Sequence, residues 1–455
     1  MLKVDLELVK KYNVPGPRYT SYPPATHFTG EISPELFIEK IRGNNEGAGD
    51  LSLYFHLPFC YSLCWFCGCT TVITADQKKS GQYLAYLEKE MDLLKPLMNP
   101  KRKVVQLHFG GGTPTFSMPD EIRRLGQMIH SRFSFASDAE AGVEVDPRRL
   151  TRDHLVALRE IGFNRGSMGV QDNDPVVQKA VHRIQPFEMT KQSVEWMREV
   201  GFQSVNIDLI YGLPHQTPTS FMKTLDETLS IKPDRFAVFN YAHVPWMKPA
   251  QKILQQGVLP SPETKLELLK LTIERLTSEG YVYIGMDHFA RAGDELAVAQ
   301  KQKTLQRNFQ GYSTRGGADI YAFGMSSISQ ADGFYWQNQK DLPDYYASLE
   351  ANKLPLHRGY IMTDEDVIRR TTIMRLMCDL GLNYPAMSKL LNLDFKQHFA
   401  TEIESLDDME ADGLVLKTPD ELVVTDLGRL LVRNIAMRFD AYAGQRKENR
   451  FSRTI

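Results

Sequence analysis

Long apolar runs and a surplus of charge of one sign are both missing from this chain of 455 residues. Its 54 lysines and arginines nearly balance its 56 aspartates and glutamates, which gives a formal net charge of -2. No apolar run approaches the roughly 18 residues that a membrane helix needs, and the opening residues lack the apolar centre of a signal peptide. We therefore expect no membrane span, no nucleic-acid partner that would require a basic surface, and a cytoplasmic protein.

Cysteine is also scarce, because the whole chain has five, yet four of them fall between residues 60 and 69. A disulfide framework belongs to oxidising compartments and small secreted domains. A dense cluster in a cytoplasmic chain points to a bound metal instead. Cys378, the fifth cysteine, lies in an apolar helical pattern and is expected to be a buried packing residue.

Short β-rich runs alternate with amphipathic stretches between residues 51 and 290. One such stretch begins at Ser261, which can cap a helix, followed by Pro262, which suits a first turn. This alternation predicts parallel strands joined by crossover helices. Strand ends rich in glycine and polar residues would then meet at one rim of a barrel, where barrel enzymes place their chemistry. The predicted strands are 51–58, 104–112, 141–147, 164–171, 204–214, 235–243 and 281–289.

The flanking segments differ from this series. Residues 12–24 hold four prolines and three tyrosines, too much proline for a central strand or helix. We expect this arm to close over the barrel mouth, and the alternative is a fixed brace between the barrel and the C-terminal domain. After about residue 360 the pattern becomes helical, and two short β runs around Thr418 predict a hairpin in a small winged-helix-like domain.

Three of the clustered cysteines, Cys60, Cys64 and Cys67, are separated by three and then two residues. Zinc sites usually pair two C-x-x-C units across a longer insert, and the second unit is missing here. Three thiolates in one loop suit a 4Fe-4S cluster in which three irons each take one cysteine. The open fourth iron can bind S-adenosylmethionine and pass it one electron. This spacing resembles the radical S-adenosylmethionine superfamily, and zinc is the alternative.

Residues around these cysteines extend the candidate site. Cys69 would close the open iron if it were a fourth ligand, so it is interpreted as a functional residue beside the cluster, with simple packing as the alternative. The glycine-rich run at Gly110 to Thr113 is expected to offer its backbone to the methionine end of the cofactor. His56 is expected on the same face of its strand as Tyr54.

Two carboxylates, Glu144 and Asp208, stand in otherwise apolar strands. A buried carboxylate needs a partner such as a ribose hydroxyl, an ammonium group or an arginine. Their expected place at the barrel rim favours ligand binding over a structural ion pair. Gln171 and Arg183 are expected to face the same mouth, where an arginine fork suits a carboxylate.

The motifs taken together resemble the family of oxygen-independent coproporphyrinogen III oxidases almost from end to end. The resemblance implies an α/β fold, an incomplete TIM-like (β/α) barrel of radical S-adenosylmethionine type, with an N-terminal arm and a small, mainly helical C-terminal domain. It also implies oxidative decarboxylation of the ring A and B propionates of coproporphyrinogen III to vinyl groups, giving protoporphyrinogen IX in heme biosynthesis. The matching segments are YNVPGPRYTSYP, FHLPFCYSLCWFCGC, LHFGGGTPT, VEVDPR, GVQD, NIDLIYGLPHQT, VFNYAHVP, IGMDHFA, RNFQGYST and LVRNIAMRFD.

The resemblance carries over particular residues and partners. It implies a 4Fe-4S cluster on Cys60, Cys64 and Cys67, two molecules of S-adenosylmethionine, and catalytic roles for Tyr54 and Cys69. It further implies a monomer that receives electrons from a reductant such as flavodoxin or ferredoxin. The implied contacts of one cofactor molecule are Tyr54, Gly111, Glu144 and Ile328, and those of the other are Phe66, Gly112, Thr113, Gln171, Arg183, Asp208 and Ala242.

Domain boundaries and rival functions complete the prediction. Residues 1–45 are assigned to the arm and a lead-in helix, 46–358 to the partial barrel with the iron-sulfur site, and 359–455 to the C-terminal domain. The nearest rival is a heme chaperone, a class that generally lacks the CGC ending and the proline-rich arm found here. A transfer-RNA-modifying radical enzyme would need a basic domain, and the sequence has no sign of one.

Overall fold

The structure is a computed structural model that describes residues 4–47, 49–255 and 258–443. The strands are β1 (Leu51–Leu57), β2 (Phe59–Cys60), β3 (Val72–Ile73), β4 (Lys103–Gly111), β5 (Ser134–Val145), β6 (Arg165–Gln171), β7 (Ser204–Tyr211), β8 (Arg235–Asn240), β9 (Tyr281–Gly285), β10 (His288–Arg291), β11 (Gln306–Asn308), β12 (Gly311–Ser313), β13 (Asp319–Phe323), β14 (Ile328–Ala331), β15 (Phe334–Asn338), β16 (Leu356–Ile361), β17 (Gly381–Asn383), β18 (Val415–Lys417) and β19 (Glu421–Val424).

The helices surround these strands or form the C-terminal region. None of the described helices combines the length and the apolar character required to cross a membrane. The helices are α1 (Leu6–Tyr12), α2 (Pro34–Asn44), α3 (Lys78–Leu94), α4 (Pro119–His130), α5 (Arg152–Glu160), α6 (Pro175–Ala180), α7 (Phe187–Glu199), α8 (Pro218–Ser230), α9 (Pro262–Ser278), α10 (Glu295–Lys301), α11 (Leu342–Glu350), α12 (Asp364–Asp379), α13 (Tyr384–Leu391), α14 (Phe395–His398), α15 (Ala400–Glu404), α16 (Asp407–Ala411) and α17 (Val432–Met437).

One mixed sheet organises the larger part of the chain. Its strand order is β16, β15, β14, β13, β1, β4, β5, β6, β7, β8, β10 and β9. From β13 through β8 in this order, all neighbouring strands are parallel. The crossover helices α3 to α8 lie between the successive strands β1, β4, β5, β6, β7 and β8 along the chain. In the described residues the edge strands β16 and β9 do not pair with each other. This α/β architecture agrees with the predicted incomplete barrel.

The last predicted barrel strand, residues 281–289, is wrong in one respect. The run splits into β9 and β10, which pair antiparallel across a turn at Met286, and β10 is also antiparallel to β8. Met286 has a φ of 55° and Gly285 one of 145°, so the backbone reverses there. Periodicity alone does not detect such a reversal, because apolar residues continue on both sides of the turn.

Alternation along the parallel strands separates the core from the interior of the barrel. In β7 every second residue is buried, while Asn206 and Asp208 on the other face are only half-buried. The same pattern in β5 leaves Glu144 half-buried between Val143 and Val145. Because side chains alternate faces along a strand, the apolar set packs under the helices and the polar set faces inward. The sequence pattern thereby places the candidate carboxylates inside the barrel.

Other predicted elements are confirmed. Ser261 caps α9 by accepting a hydrogen bond from Thr264 N at 3.2 Å, and Pro262 begins the helix. The predicted hairpin exists as β18 and β19, and β17 joins it in a three-stranded sheet. Strand β16 of the large sheet includes residue 359, the predicted start of the C-terminal domain. Residues 444–455 of that domain lie outside the described part of the chain.

The proline-rich arm packs mainly on the C-terminal region. Tyr19 and Tyr22 are fully buried in the C-terminal apolar cluster. Tyr19 OH donates to Asp440 Oδ2 at 2.8 Å, and Tyr22 OH accepts from Ala441 N at 3.1 Å. These contacts are those of a brace. Arg18, which directly precedes Tyr19, instead contacts the barrel sheet, where it pairs with Asp287 and lies over the Phe239 ring.

A buried carboxylate on α3 holds the loop that follows β13. Glu90 accepts hydrogen bonds from Gly324 N at 2.8 Å, Asn338 Nδ2 at 2.6 Å and Tyr345 OH at 2.6 Å. Burial raises the pKa of Glu90 to about 7 even though these donors oppose the shift. The loop leads directly into Ile328, so this carboxylate positions one wall of the candidate site.

Replacing Glu90 with alanine is expected to destabilise the protein by about 3 kcal/mol, because three buried donors lose their acceptor. The measurement is the thermal unfolding midpoint of the metal-free protein. Glu88→Ala, which removes a partly exposed carboxylate from the same helix, is the matched control and should shift the midpoint little. Equal midpoints for the two variants would contradict a central role for Glu90.

Candidate iron-sulfur and cofactor site

The cysteine loop, residues 60–71, leaves the sheet after β1 and is closed at its base by the parallel pair β2 and β3. Inside the loop Cys67 N donates to Cys64 O at 3.0 Å, which makes a tight turn. Trp65 N donates to Val181 O at 3.1 Å and anchors the loop to the end of α6. The loop is therefore fixed at both its base and its tip.

Two arginines approach the sulfur of Cys64. Arg148 Nη2 lies 3.4 Å and Arg183 Nη1 3.5 Å from Cys64 Sγ. Both also bind Asp146 Oδ2, at 2.6 Å and 3.3 Å respectively. Burial acts to raise the pKa of Asp146, but the two cations outweigh it and bring the pKa to about 2. Positive charge beside the sulfur would offset the negative charge of thiolates bound to a cluster.

The other two candidate ligands have contrasting surroundings. Cys60 Sγ lies 3.5 Å from Thr113 Oγ1, and burial raises the pKa of Cys60 to about 11. The neighbouring Cys69 side chain lowers the pKa of Cys67 below its usual value. A metal deprotonates its cysteine ligands outright, so binding a cluster would remove this contrast.

The loop carries the donor set of an iron-sulfur cluster. Its three predicted ligands are all thiols, and in a cube-shaped cluster each thiolate binds its own iron. Gly112 backs the loop closely, since a Cβ there would lie 2.4 Å from Pro58 O. These residues fit a 4Fe-4S cluster.

A cavity of about 340 Å³ lies beside the cysteine loop and along the ends of β4 to β7. Two polar atoms of its lining residues, Gln171 Oε1 and Arg183 Nε, are buried without a hydrogen-bond partner. Gln171 also has a φ of 69° at an irregularity in β6, a strained conformation of the kind that collects at ligand sites. The predicted site residues that line this cavity are Cys60, Cys64, Phe66, Cys67, Cys69, Gly111, Gly112, Thr113, Glu144, Gln171, Arg183 and Asp208.

A second cavity, of about 580 Å³, adjoins the first. Cys69, Gly111 and Glu144 line both cavities and so form their shared wall. The second cavity extends between the end of β1 and the loop that Glu90 holds. The predicted site residues that line it are Tyr54, Cys69, Gly111, Glu144 and Ile328.

Glu144 is the centre of a network at the shared wall. Gly111 N donates to Glu144 Oε2 at 3.2 Å, and His108 Nε2 lies 3.5 Å from Glu144 Oε1. Burial acts to raise the pKa of Glu144, but these contacts hold it below its usual value. Tyr54 stacks on His108 at 5.8 Å, and its hydroxyl lies 3.2 Å from His56 Nδ1, which confirms that Tyr54 and His56 share a face.

Asp208 has a different protonation state. Asn206 Nδ2 donates to Asp208 Oδ1 at 2.7 Å, and Ser167 Oγ donates to Oδ2 at 3.3 Å. Burial and the nearby charge of Glu144 nevertheless raise the pKa of Asp208 to about 7, against the pull of Arg183. At neutral pH the carboxyl is therefore partly protonated, and it can donate as well as accept a hydrogen bond.

The predicted residues and the observed site residues do not coincide completely. Ala242 is exposed just after β8 and belongs to neither cavity wall. Cys378 is fully buried in α12, which confirms its packing role. Sequence reasoning did not assign Asp146, Arg148 or His108 to the site. Asp146 lies at the end of the predicted strand 141–147 and Arg148 directly follows that strand, which is a signal that could have identified them.

Comparison with known proteins supplies independent information. Residues 54–228 match the Radical SAM superfamily, and residues 362–431 match the HemN C-terminal domain. Proteins named oxygen-independent coproporphyrinogen III oxidase are similar over nearly their full length. The relative from Synechocystis is 46% identical over 100% of this chain and 98% of its own, and that from Escherichia coli is 47% identical over 99% and 98%.

A solved structure shares the same architecture. The coproporphyrinogen III oxidase HemN from Escherichia coli, described as a radical SAM enzyme, superimposes with a TM-score of 0.92 and 45% sequence identity. The match covers 97% of this chain and 99% of that one. The agreement therefore extends to the arm and the C-terminal region as well as the barrel.

Replacing Cys60, Cys64 or Cys67 with alanine is expected to abolish cluster assembly, because each thiolate would hold one iron. Iron and sulfide content and visible absorption after anaerobic reconstitution measure this directly. Cys378→Ala is the matched control and should keep the cluster, as should Cys69→Ala if Cys69 is not a ligand. Retention of zinc without iron, or full cofactor cleavage by Cys64→Ala, would contradict the assignment.

Proposed function

Because the chain belongs to the family of oxygen-independent coproporphyrinogen III oxidases and is a radical S-adenosylmethionine enzyme, we propose that it oxidises the ring A and B propionates of coproporphyrinogen III to vinyl groups. Each propionate would lose carbon dioxide, one proton and two electrons, and the product would be protoporphyrinogen IX. The single observation that carries this proposal is the three-cysteine loop opening onto two adjoining cavities that share Cys69, Gly111 and Glu144.

The cofactors supply what the side chains lack. When bound, the cluster and S-adenosylmethionine provide a primary carbon radical that can take a hydrogen from the unactivated propionate, a task for which an acid or base is unsuited. Cys60, Cys64 and Cys67 hold the iron in this proposal. Arg148 and Arg183 balance the charge of the thiolates, since both contact Cys64.

The two cavities support binding of two S-adenosylmethionine molecules. In the first cavity, which lies beside the cysteine loop and is called the cluster-side cavity, Gln171 and Arg183 offer buried polar atoms that have no partner among the described residues. Asp208 can donate or accept a hydrogen bond there. In the second cavity, Tyr54 and the charged Glu144 suit hydroxyl and ammonium groups. We include Phe66, Gly112, Thr113 and Ala242 in the first site and Gly111 and Ile328 in the second.

Tyr54 and Cys69 are the proposed catalytic side chains. Cys69 is an exposed cysteine that lines both cavities. Tyr54 has its hydroxyl beside His56, and burial raises the pKa of Tyr54 well above its usual value, so the phenol stays neutral. A neutral phenol and a thiol can each give a proton or hydrogen to a reacting group.

The reductant is proposed to be an electron carrier such as flavodoxin or ferredoxin, with the enzyme acting as a monomer in the cytoplasm. Four large apolar side chains are exposed on segments that flank the cysteine loop. Val176 and Ile184 lie on or just after α6, while Trp246 and Met247, 63% and 64% exposed, follow β8. Exposed apolar groups of this size commonly mark docking surfaces.

Charge and connectivity support the same docking surface. Lys248 Nζ donates to Cys69 O at 2.9 Å, which connects the Trp246 segment to the cysteine loop. Lys179 and Lys252 are exposed on the two flanking segments. A surface with apolar side chains and a lysine rim suits an acidic redox protein.

The function is tested by supplying the reduced enzyme with S-adenosylmethionine and coproporphyrinogen III in the absence of oxygen. We expect protoporphyrinogen IX and two molecules of carbon dioxide for each substrate, measured by chromatography and by release of label from the propionate carboxyls. Enzyme carrying Cys64→Ala is the negative control. Stoichiometric heme binding without release of carbon dioxide would favour a heme chaperone instead.

The docking surface is tested by the double change Trp246→Ala and Met247→Ala. Cofactor cleavage driven by reduced flavodoxin is expected to slow about tenfold, while cleavage driven by dithionite stays unchanged, because a small reductant needs no docking surface. Leu416→Ala, which removes an exposed apolar side chain on β18, is the matched control. An equal loss with both reductants, or none with flavodoxin, would contradict the assignment.

A further inference from the structure

A third cavity, of about 260 Å³, continues from the cofactor side into the barrel. His108 and Glu144 line both this cavity and the second one, while Asp208 lines both this cavity and the first. Its lining also includes His288 and Tyr312. A ligand in this cavity would therefore lie close to the cofactor residues and to these two rings.

Two arginines lie against rings that line this third cavity. The guanidinium carbon of Arg18 is 5.7 Å from the centre of the Phe239 ring, and that of Arg307 is 4.7 Å from the centre of the Tyr312 ring. Phe239 and Tyr312 both line the third cavity. Arg307 Nη2 donates to Arg18 O at 3.3 Å, so the two residues form one cluster.

The hydrogen-bonding capacity of Arg307 is largely unused. The residue is 6% exposed, and its Nε and Nη1 have no hydrogen-bond partner among the described residues. Gln310 Nε2, on the same hairpin, is also buried without a hydrogen-bond partner among the described residues. A buried guanidinium group is costly unless an acceptor satisfies it, and a carboxylate matches its fork.

A third arginine lies near the other two. Arg18 pairs with Asp287, and Arg433 adds a third cation whose Nε donates to Pro17 O at 2.7 Å. Burial, together with repulsion among Arg18, Arg307 and Arg433, lowers the pKa of Arg18 to about 10 and that of Arg433 to about 9. An anionic ligand beside Arg18 and Arg307 would offset this repulsion.

We propose that Arg18 and Arg307 bind a propionate carboxylate of the substrate while a different propionate reacts beside the cofactors. Arg307 offers the N–H groups of Nε and Nη1, which have no partner among the described residues, and Arg18 exchanges Asp287 for the substrate carboxylate. The inference rests on the proposed function, since a tetracarboxylate macrocycle leaves propionates to be held while another reacts. The methionine carboxylate of the cofactor has the same chemistry, so the experiment separates these two sources.

The test is equilibrium binding of coproporphyrin III, an unreactive aromatic analogue, to cluster-loaded enzyme with S-adenosylmethionine and no reductant. Arg307→Met is expected to weaken binding about 10- to 100-fold, because a charge-assisted pair is lost. Asp287→Asn is expected to tighten binding several-fold, because it frees Arg18. Arg152→Met, which removes an exposed arginine, is the matched control. The uncharged tetraamide of the porphyrin should bind all variants equally.

The outcomes are decisive in each case. Normal coproporphyrin binding by both Arg307→Met and Asp287→Asn in an enzyme that turns over substrate would overturn this inference alone. A loss of S-adenosylmethionine affinity with unchanged porphyrin affinity would assign the arginines to the cofactor and also overturn it. If Arg307→Met does not fold, Asp287→Asn decides by whether affinity increases. Failure of the unaltered enzyme to bind coproporphyrin or release carbon dioxide would reject the proposed function itself.

Discussion

Asp146 is the group on which the charge of the cysteine loop depends. Its carboxylate lies at the end of β5 and binds both Arg148 and Arg183, whose guanidinium groups reach the sulfur of Cys64. Without this anion the two buried cations would repel each other, and Arg183 would lose the support that keeps it on Gly169 O at 2.6 Å. Asp146 thus fixes both the geometry of the cluster-side cavity and the charge beside the loop. It can do so because parallel strands end at the same rim.

Two inward-facing carboxylates on nearby strands are held in different states. His108 and the amide of Gly111 overcome burial at Glu144 and hold its pKa below the usual value, whereas burial and the charge of Glu144 raise the pKa of Asp208 to about 7. At neutral pH one group is an acceptor with a full negative charge and the other can act as a donor. When their surroundings separate the pKa values of two carboxyl groups in this way, each group can contact a different part of a polar ligand.

Local features were predictable and long-range pairings were not. The β-rich runs located β1 and β4 to β8, and the cap at Ser261 located a helix, because both signals depend only on neighbouring residues. Strand β13, which also pairs in parallel with β1, was not predicted. The cysteine spacing and the family resemblance selected residues that the structure gathers around two cavities, apart from Ala242, while their roles stay predictions. The turn at Met286 was missed because it interrupts an apolar run, and no local pattern indicates that Arg18 would meet Asp287, a contact between residues far apart in the chain.

The position of the arm has a consequence for the order in which the chain folds during its own synthesis. The contact between Tyr22 and Ala441 joins residues separated by 419 positions, so this part of the arm can dock only after residue 441 has been synthesised. Arg18, in the same arm, lies over Phe239, a residue that lines the cluster-side cavity. Because domains fold during translation, the N-terminal barrel can fold before the contact with Ala441 forms. The arm is therefore fixed beside that cavity later than the strands that form it.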